Sequence, residues 1–119
     1  MCTEMREIMT VQDLIQVGNF DVLNVGDDVD REIKVLYCCD LLSIAMGRLP
    51  ADAAWVTVMA NINTLAVASL TDAACIILAE GTTLDEPTCN KAKEQNITVF
   101  ATSLPVFEAA LMVYQQLNA

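Results

Sequence analysis

The chain lacks histidine altogether in its 119 residues. Serine and cysteine nucleophiles commonly depend on an imidazole base, so that form of catalysis is excluded. Glycine is also scarce, and the four glycines are too far apart to form a phosphate-binding loop. Neighbouring carboxylates do occur, but Asp27-Asp28 and Asp85-Glu86 lie where turns or helix starts are expected. We therefore predict no catalytic residues and no enzyme activity.

Cysteine is present, but not in the patterns that bind metals. Five cysteines stand at positions 2, 38, 39, 75 and 89, without a Cys-x-x-Cys pair. Their odd number, and an N-terminus without the features of a signal peptide, predict a reducing cytoplasmic location rather than a disulfide framework. No metal or other cofactor is expected. The doublet Cys38-Cys39 keeps one alternative open, a redox or metal- or cluster-associated accessory protein, because a thiol beside a helix start can acquire a lowered pKa.

Basic residues are few. The chain has 6 lysines and arginines against 16 acidic residues, which gives a net charge of −10. Such a surface repels phosphate backbones and anionic lipids, so neither nucleic acid nor a membrane is an expected partner. A membrane span is not expected either, because the longest uncharged stretch, residues 53–71, contains Asn61 and Asn63.

Apolar residues, by contrast, are abundant. They make up 55% of the chain, and the mean hydropathy is +0.44. A small domain buries only about two-thirds of the surface that its unfolded chain exposes, so part of this apolar surplus must reach the surface. Because contiguous exposed apolar patches usually mark interfaces, we predict a homodimer.

Short apolar runs alternate with amphipathic segments along the whole chain. This order predicts βαβ crossovers and a three-layer α/β/α domain with a mostly parallel sheet of four or five strands. The predicted strands are residues 21–25, 33–39, 55–60, 74–79 and 97–101. The predicted helices start at Thr10 (with a capping box to Asp13 and a stop at Gly18), after Asp40, at Thr64 behind an Asn63 cap, at Thr83 or Asp85, and behind a Thr102-Ser103 cap with Pro105 in the first turn. The domain spans residues 1–119, with allowance for disorder in residues 1–9.

The loops that follow the strands carry polar side chains. In open parallel sheets, ligands bind at the carboxyl ends of the strands, where helix N-termini also offer free N–H groups. Candidate ligand-binding residues at this edge are Asp40, Asn61, Asn63, Thr82, Thr102 and Ser103. Capping of the helices that follow is the competing interpretation for each of them.

An ordered series of segments resembles the DRTGG domain family. It runs over most of the chain, from Val11 to Leu117. The segments are Val29-Asp30-Arg31-Glu32-Ile33, Asp40-Leu41-Leu42-Ser43, Trp55-Val56-Thr57-Val58, Leu65 to Leu70, Ala74 to Leu78, and Ile97 to Thr102. Of the motif that names the family, only Asp30 and Arg31 are present, and Lys34 adds a cation nearby.

The resemblance implies regulation rather than catalysis. DRTGG domains accompany CBS domains in regulated pyrophosphatases, occur in phosphotransacetylases, are similar to the N-terminal region of HPr kinase, and tend to form dimers. The implied function is a stand-alone, non-catalytic regulatory module that dimerises and senses a small anionic ligand or a protein partner. Asp30, Arg31 and Lys34 join the candidate ligand-binding residues on this basis. Arg31 has a second possible role, in which it pairs with Asp30 or another acid and serves the fold or an interface.

Overall fold

The computed structural model describes residues 8–118, which form five helices and five strands. The two types of element alternate along the chain except that the first two strands are consecutive. The helices are α1 (Val11–Val17), α2 (Leu42–Arg48), α3 (Ile62–Thr71), α4 (Glu86–Glu94) and α5 (Val106–Leu117). The strands are β1 (Asp21–Asn24), β2 (Val35–Cys38), β3 (Ala53–Thr57), β4 (Cys75–Leu78) and β5 (Val99–Ala101). The disorder allowed for residues 1–9 falls mostly outside the described residues; Met9, which is described, is buried in the core.

The five strands form one sheet in the order β1-β5-β4-β3-β2. Strands β2 to β5 pair in parallel, and β1 pairs with β5 in the antiparallel direction. The amino ends of the four parallel strands therefore lie at one edge of the sheet, and their carboxyl ends lie at the opposite edge. The predicted α/β class and the mostly parallel sheet are confirmed.

Helices cover both faces of the sheet. Both faces need this cover because successive residues of a strand point to opposite faces, and nearly all residues of the central strands are apolar. In β3, Val56 packs into the core beneath α1 and α5, while Trp55 packs into the core beneath α2, α3 and α4. All five residues of β3 are buried, which explains why its sequence is almost continuously apolar. The two separate cores make the domain a three-layer α/β/α structure.

Local capping signals placed two helices correctly. Thr10 and Asp13 form the predicted capping box at the start of α1, and Gly18 ends the helix with a positive φ of 77°. Asp85 caps α4, since its Oδ1 accepts a hydrogen bond of 2.9 Å from the backbone N–H of Thr88. These contacts join residues three apart, which is the range that capping rules describe.

Three predicted elements, α3, α5 and β3, begin or end at other residues than expected. Helix α3 is capped by Asn61 rather than Asn63, because Asn61 has an extended backbone and its Oδ1 accepts from the N–H groups of Asn63 and Thr64. Helix α5 begins after Pro105, which is its N-cap, and the Thr102 side chain forms a turn instead.

Strand β3 starts and ends earlier than the predicted residues 55–60. It ends at Thr57 because the N–H of Val58 turns away to the Asp40 carboxylate. The other four strands occur where predicted, with shorter bounds.

Candidate functional site

The candidate residues divide between opposite edges of the sheet. Asp30, Arg31 and Lys34 precede β2. Arg31 contacts Asp52, directly before β3, and Asp72, three residues before β4, so this group lies at the amino edge. The other candidates follow β2, β3, β4 or β5 and lie at the carboxyl edge: Asp40, Asn61, Asn63, Thr82, Thr102 and Ser103. The set predicted from the sequence therefore cannot form a single site.

At the carboxyl edge, Asp40 joins the ends of two strands. Its Oδ1 accepts a hydrogen bond of 2.7 Å from the hydroxyl of Thr57 and one of 2.8 Å from the N–H of Val58. Because Asp40 follows β2 and Thr57 ends β3, the carboxylate holds the two strand ends together. One oxygen of Asp40 is thus committed to the fold.

The neighbouring loops use their polar groups in a similar way. The hydroxyl of Thr82 donates to the carbonyl of Ala79 at 2.8 Å, and the hydroxyl of Thr102 accepts from the N–H of Leu104 at 3.2 Å. Within residues 8–118, the exposed side chains of Asn63 and Ser103 make no hydrogen bond. These two side chains are the carboxyl-edge candidates that keep their polar groups free.

Two helix N-termini at this edge, those of α4 and α5, are already occupied by carboxylates of the chain. The Glu80 carboxylate accepts a hydrogen bond of 3.2 Å from the N–H of Val106 at the start of α5. Asp85 occupies the start of α4, and hydrogen bonds from the Thr88 side chain and N–H lower the pKa of its carboxyl. Two carboxylates at the helix ends repel an anion, so the carboxyl edge is poorly suited to bind one. The role of Glu80 had no sequence signal, because its partner lies 26 residues away.

At the amino edge, Arg31 is the centre of a cluster of acids. Its Nε donates to Asp52 Oδ1 at 2.8 Å, and its Nη2 lies 3.0 Å from Asp72 Oδ1 and also donates to the Asp72 carbonyl. Its Nη1 lies 3.5 Å from Asp28 Oδ2. Asp30, the neighbour in sequence, is exposed and is not among these partners. Arg31 therefore has acidic partners for the ion-pairing role considered above, namely Asp28, Asp52 and Asp72. Little of the guanidinium remains free to bind a ligand.

The ionisation of this cluster follows from its geometry. Burial lowers the pKa of Arg31, but the hydrogen bond to Asp52 and the charges of Asp72 and Asp52 outweigh it, so the net shift is upward. The hydrogen bond from Arg31 holds the pKa of Asp52 below its usual value, with further help from the charge of Lys34. The cluster is thus an ion-pair network in which both partners stay charged.

A cavity of about 310 Å³ lies beside Arg31. Its polar lining residues are Asp27, Asp28, Arg31, Ser69, Asp72, Gln95 and Asn96. The loop on one side is fastened to the chain before β5: Asn24 Nδ2 donates to the Ile97 carbonyl at 2.8 Å, and the Gly26 N–H donates to Thr98 Oγ1 at 2.9 Å. Three carboxylates around one guanidinium leave this cavity net negative, so it does not favour an anion.

A second cavity, of about 290 Å³, lies between the exposed edge of β2 and the end of α5. Lys34 contributes its cation, Glu32 a carboxylate and Tyr114 an aromatic ring. Asn118 is also polar, and the remaining lining is apolar: Ile8, Met9, Ile33, Val35, Leu36 and Leu117. The Lys34 side chain is 60% exposed, and its Nζ lies 3.6 Å from Asp52 Oδ2. Lys34 is therefore the candidate cation that can still turn towards a ligand.

Two of the described cysteines, Cys38 and Cys75, lie in surroundings that disfavour the thiolate. Cys38, Cys39, Cys75 and Cys89 are free thiols, and Cys2 lies outside the described residues. Desolvation and the nearby Asp40 carboxylate raise the pKa of Cys38, and complete burial raises the pKa of Cys75 to about 12. Since the thiolate is the reactive form, both shifts oppose redox chemistry at neutral pH.

The described part of the chain holds neither a cluster of metal-ligating groups nor a helix able to span a membrane. Between Ile8 and Asn118, no three cysteine or acidic side chains come together in a way that could hold a metal ion. Over the same residues, none of the helices has the length and apolar character needed to cross a bilayer.

Comparison with known proteins gives a match at the level of structure. No protein-family model and no curated protein matches the chain. The fold resembles the crystal structure of the CBS and DRTGG domains of the regulatory region of Clostridium perfringens pyrophosphatase, solved with its activator diadenosine tetraphosphate. The match has a TM-score of 0.68 at 17% sequence identity, and it covers 89% of this chain and 45% of that one.

The chain is DRTGG-like in fold. The structural match confirms the resemblance that the ordered sequence segments indicated, and at this identity it extends to the fold alone. The chain spans less than half the length of the protein it matches. Asp30 and Arg31 lie in the segment that precedes β2, where Arg31 connects the starts of neighbouring strands.

Proposed function

We propose that the chain is a non-catalytic, cytoplasmic regulatory module that self-associates and senses a small anionic metabolite. The observation that carries this proposal is that polar side chains at the carboxyl edge of the sheet make hydrogen bonds within the fold. Asp40, Thr82 and Thr102 are engaged in strand-end and turn hydrogen bonds, so an enzyme active site has few groups to draw on there. The absence of histidine points the same way.

The cavity beside Lys34 is the site we propose for the ligand. It combines an adaptable cation with an aromatic ring and an apolar wall, and Glu32 is its one acidic lining residue. The cation and the ring suit a phosphorylated molecule that carries a flat ring system. The similar pyrophosphatase region was solved with a nucleotide activator, diadenosine tetraphosphate, so adenine nucleotides are the first ligands to test. Arg31 is an unsuitable anchor, because its guanidinium is already shared among Asp28, Asp52 and Asp72.

Thermal unfolding with a panel of ligands tests this proposal. The panel contains AMP, ADP, ATP, diadenosine tetraphosphate, a sugar phosphate and inorganic phosphate. A ligand present at about 100 times its Kd stabilises the fold by about 2.7 kcal/mol, which raises the melting temperature measurably. The Lys34→Gln variant should lose the shift, and Lys93→Gln, which removes an exposed lysine from α4, should keep it. If no member of the panel shifts the wild type, ligand sensing of this class is rejected.

Self-association is the other half of the proposal. It is supported by the large apolar side chains that remain exposed on α2, α3 and α5. Light scattering over a range of micromolar concentrations should give the mass of a dimer. A monomer throughout that range would reject this half without affecting the ligand test.

A further inference from the structure

The outer surface of α2 and α3 exposes large apolar side chains. Ile44 is 43% exposed, Met46 45%, and Leu70 72%. Leu41, which directly precedes α2, and Ile62, the first residue of α3, are about half exposed. The opposite sides of these helices are buried against the sheet through Ala45, Leu65 and Ala68, among others. Since α2 and α3 pack side by side, their outward residues form one surface, which we name the α2/α3 face.

The charge distribution sets this face apart. The chain carries 16 acidic residues, yet residues 41–71 contain just one of them, Asp52. Asp52 lies at the amino edge of the sheet and is bound by Arg31, so it is not on the outer surface of either helix. The sole charged residue in the two helices is Arg48, at the end of α2. The outward side chains of α2 and α3 thus include no carboxylate on a chain whose net charge is −10, and the nearest acids in the sequence are Asp40, directly before Leu41, and Asp72, which ends α3.

We infer that the α2/α3 face is where a second copy of this chain binds, an assignment that rests on the self-association proposed above. Two copies with a net charge of −10 each repel one another over most of their surfaces. Contact through a face without carboxylates avoids bringing like charges together. In a twofold arrangement each copy contributes the same patch, so the patch itself must be free of acids. Interface cores are also depleted in Asp and Glu and enriched in Met and Arg, as here with Met46 and Arg48.

Charge also argues against other occupants. A basic partner would be drawn to the acid-rich surfaces elsewhere on the chain, and an acidic partner would be repelled by them. The competing surface for a second copy is the outer stripe of α5, formed by Phe107, Leu111 and Tyr114. That stripe has Glu108 in its midst, and a twofold contact there would bring two copies of this carboxylate into one interface.

Charge placed on each surface in turn distinguishes these arrangements. Ile44→Glu and Leu70→Glu introduce a carboxylate into the α2/α3 face at exposed positions, and Phe107→Glu is the matched change on α5. The measurement is the mass by light scattering, with circular dichroism to establish that each variant is folded. We expect the wild type and Phe107→Glu to be dimers, and Ile44→Glu and Leu70→Glu to show half that mass.

Each other outcome rejects a definite part of the inference. A wild-type monomer rejects self-association and, with it, the role of the face as a dimer interface; the face would then be free for a different protein. A dimeric wild type whose mass is unchanged by both Ile44→Glu and Leu70→Glu rejects the α2/α3 face but leaves self-association standing. Loss of the dimer in Phe107→Glu, with or without loss in the other two, rejects the assignment to α2 and α3 alone.

Discussion

The Nε atom of Arg31 donates a hydrogen bond of 2.8 Å to Oδ1 of Asp52, which joins the segment before β2 to the residue before β3. The same guanidinium reaches Asp72, which precedes β4. Three consecutive parallel strands are thus connected at their amino ends through one side chain. The Arg31 side chain is 17% exposed, so these contacts are partly shielded from water.

Replacement of Arg31 by leucine should destabilise the protein. The change removes a partly buried cation and leaves Asp52 and Asp72 without their partner, which costs about 2 kcal/mol, between the values for exposed and buried pairs. Arg31→Lys should recover only part of this loss, because an ammonium group cannot reproduce the forked geometry of the guanidinium. Urea denaturation at one fixed protein concentration measures both effects. Equal stability of the leucine variant and the wild type would contradict the role assigned to Arg31.

The same ion pair predicts a loss of stability in acid. The pKa of Asp52 is lower in the folded state than in the unfolded chain, so the unfolded chain binds its proton more readily. The stabilisation is complete above the unfolded pKa of about 3.9 and is lost as the pH falls through the folded pKa below it. The dependence of the free energy of unfolding on pH below about 4 should therefore be weaker in Arg31→Leu and in Asp52→Asn than in the wild type. If both variants showed the same dependence on acid pH as the wild type, the contribution of the Arg31–Asp52 ion pair to stability would be contradicted.

The sequence predicted those parts of the structure that depend on short-range patterns. Apolar runs located all five strands, and residues three apart, such as Thr10 and Asp13, identified helix starts. The contacts of Arg31 could not be found in this way, because its partners Asp52 and Asp72 lie 21 and 41 residues further along the chain. Such partners become neighbours only when parallel pairing brings the strand starts to one edge. For the same reason the sequence grouped residues from opposite edges into one candidate site.

Gly26 should not tolerate a side chain. A Cβ atom there would lie 2.3 Å from the carbonyl oxygen of Asn96, so either the backbone before β5 or the loop must move. We expect Gly26→Ala to lower the free energy of unfolding by about 1–3 kcal/mol, the usual range for an overpacked site. Gly47→Ala is the control, because a Cβ there meets no atom within 4 Å and alanine is favoured in a helix. A Gly26→Ala variant as stable as the control would show that this loop does not pack closely on Asn96.

Thiol labelling separates the regulatory proposal from the cysteine-based alternative. The raised pKa of Cys38 predicts that it reacts with iodoacetamide at neutral pH more slowly than free glutathione does. Cys75 should stay unlabelled until the protein unfolds, because it is completely buried. Peptide mapping by mass spectrometry after timed labelling gives both rates, and unfolded protein is the control for access. Reaction of Cys38 or Cys39 faster than glutathione would favour the redox function instead.

Two buried threonines should respond differently to the same substitution. The hydroxyl of Thr57 donates to the carboxylate of Asp40 and accepts from the N–H of Met59 at 3.2 Å, so Thr57→Val breaks two hydrogen bonds, one of them to a charged group. The hydroxyl of Thr64, which is 2% exposed, has no hydrogen-bond partner within residues 8–118. Removal of a satisfied hydroxyl costs about 1–3 kcal/mol, whereas replacement of an unsatisfied one by a methyl group of the same shape is nearly neutral or stabilising.

We therefore expect Thr57→Val to unfold at lower urea concentration than the wild type and Thr64→Val at an equal or higher one. Both residues are buried, and both changes exchange a hydroxyl for a methyl group, so differences in apolar burial largely cancel between the two variants. The sign of the difference reports on hydrogen bonding alone. A destabilised Thr64→Val would mean that its hydroxyl has a partner in solution. An unchanged Thr57→Val would mean that Asp40 does not hold the ends of β2 and β3 together.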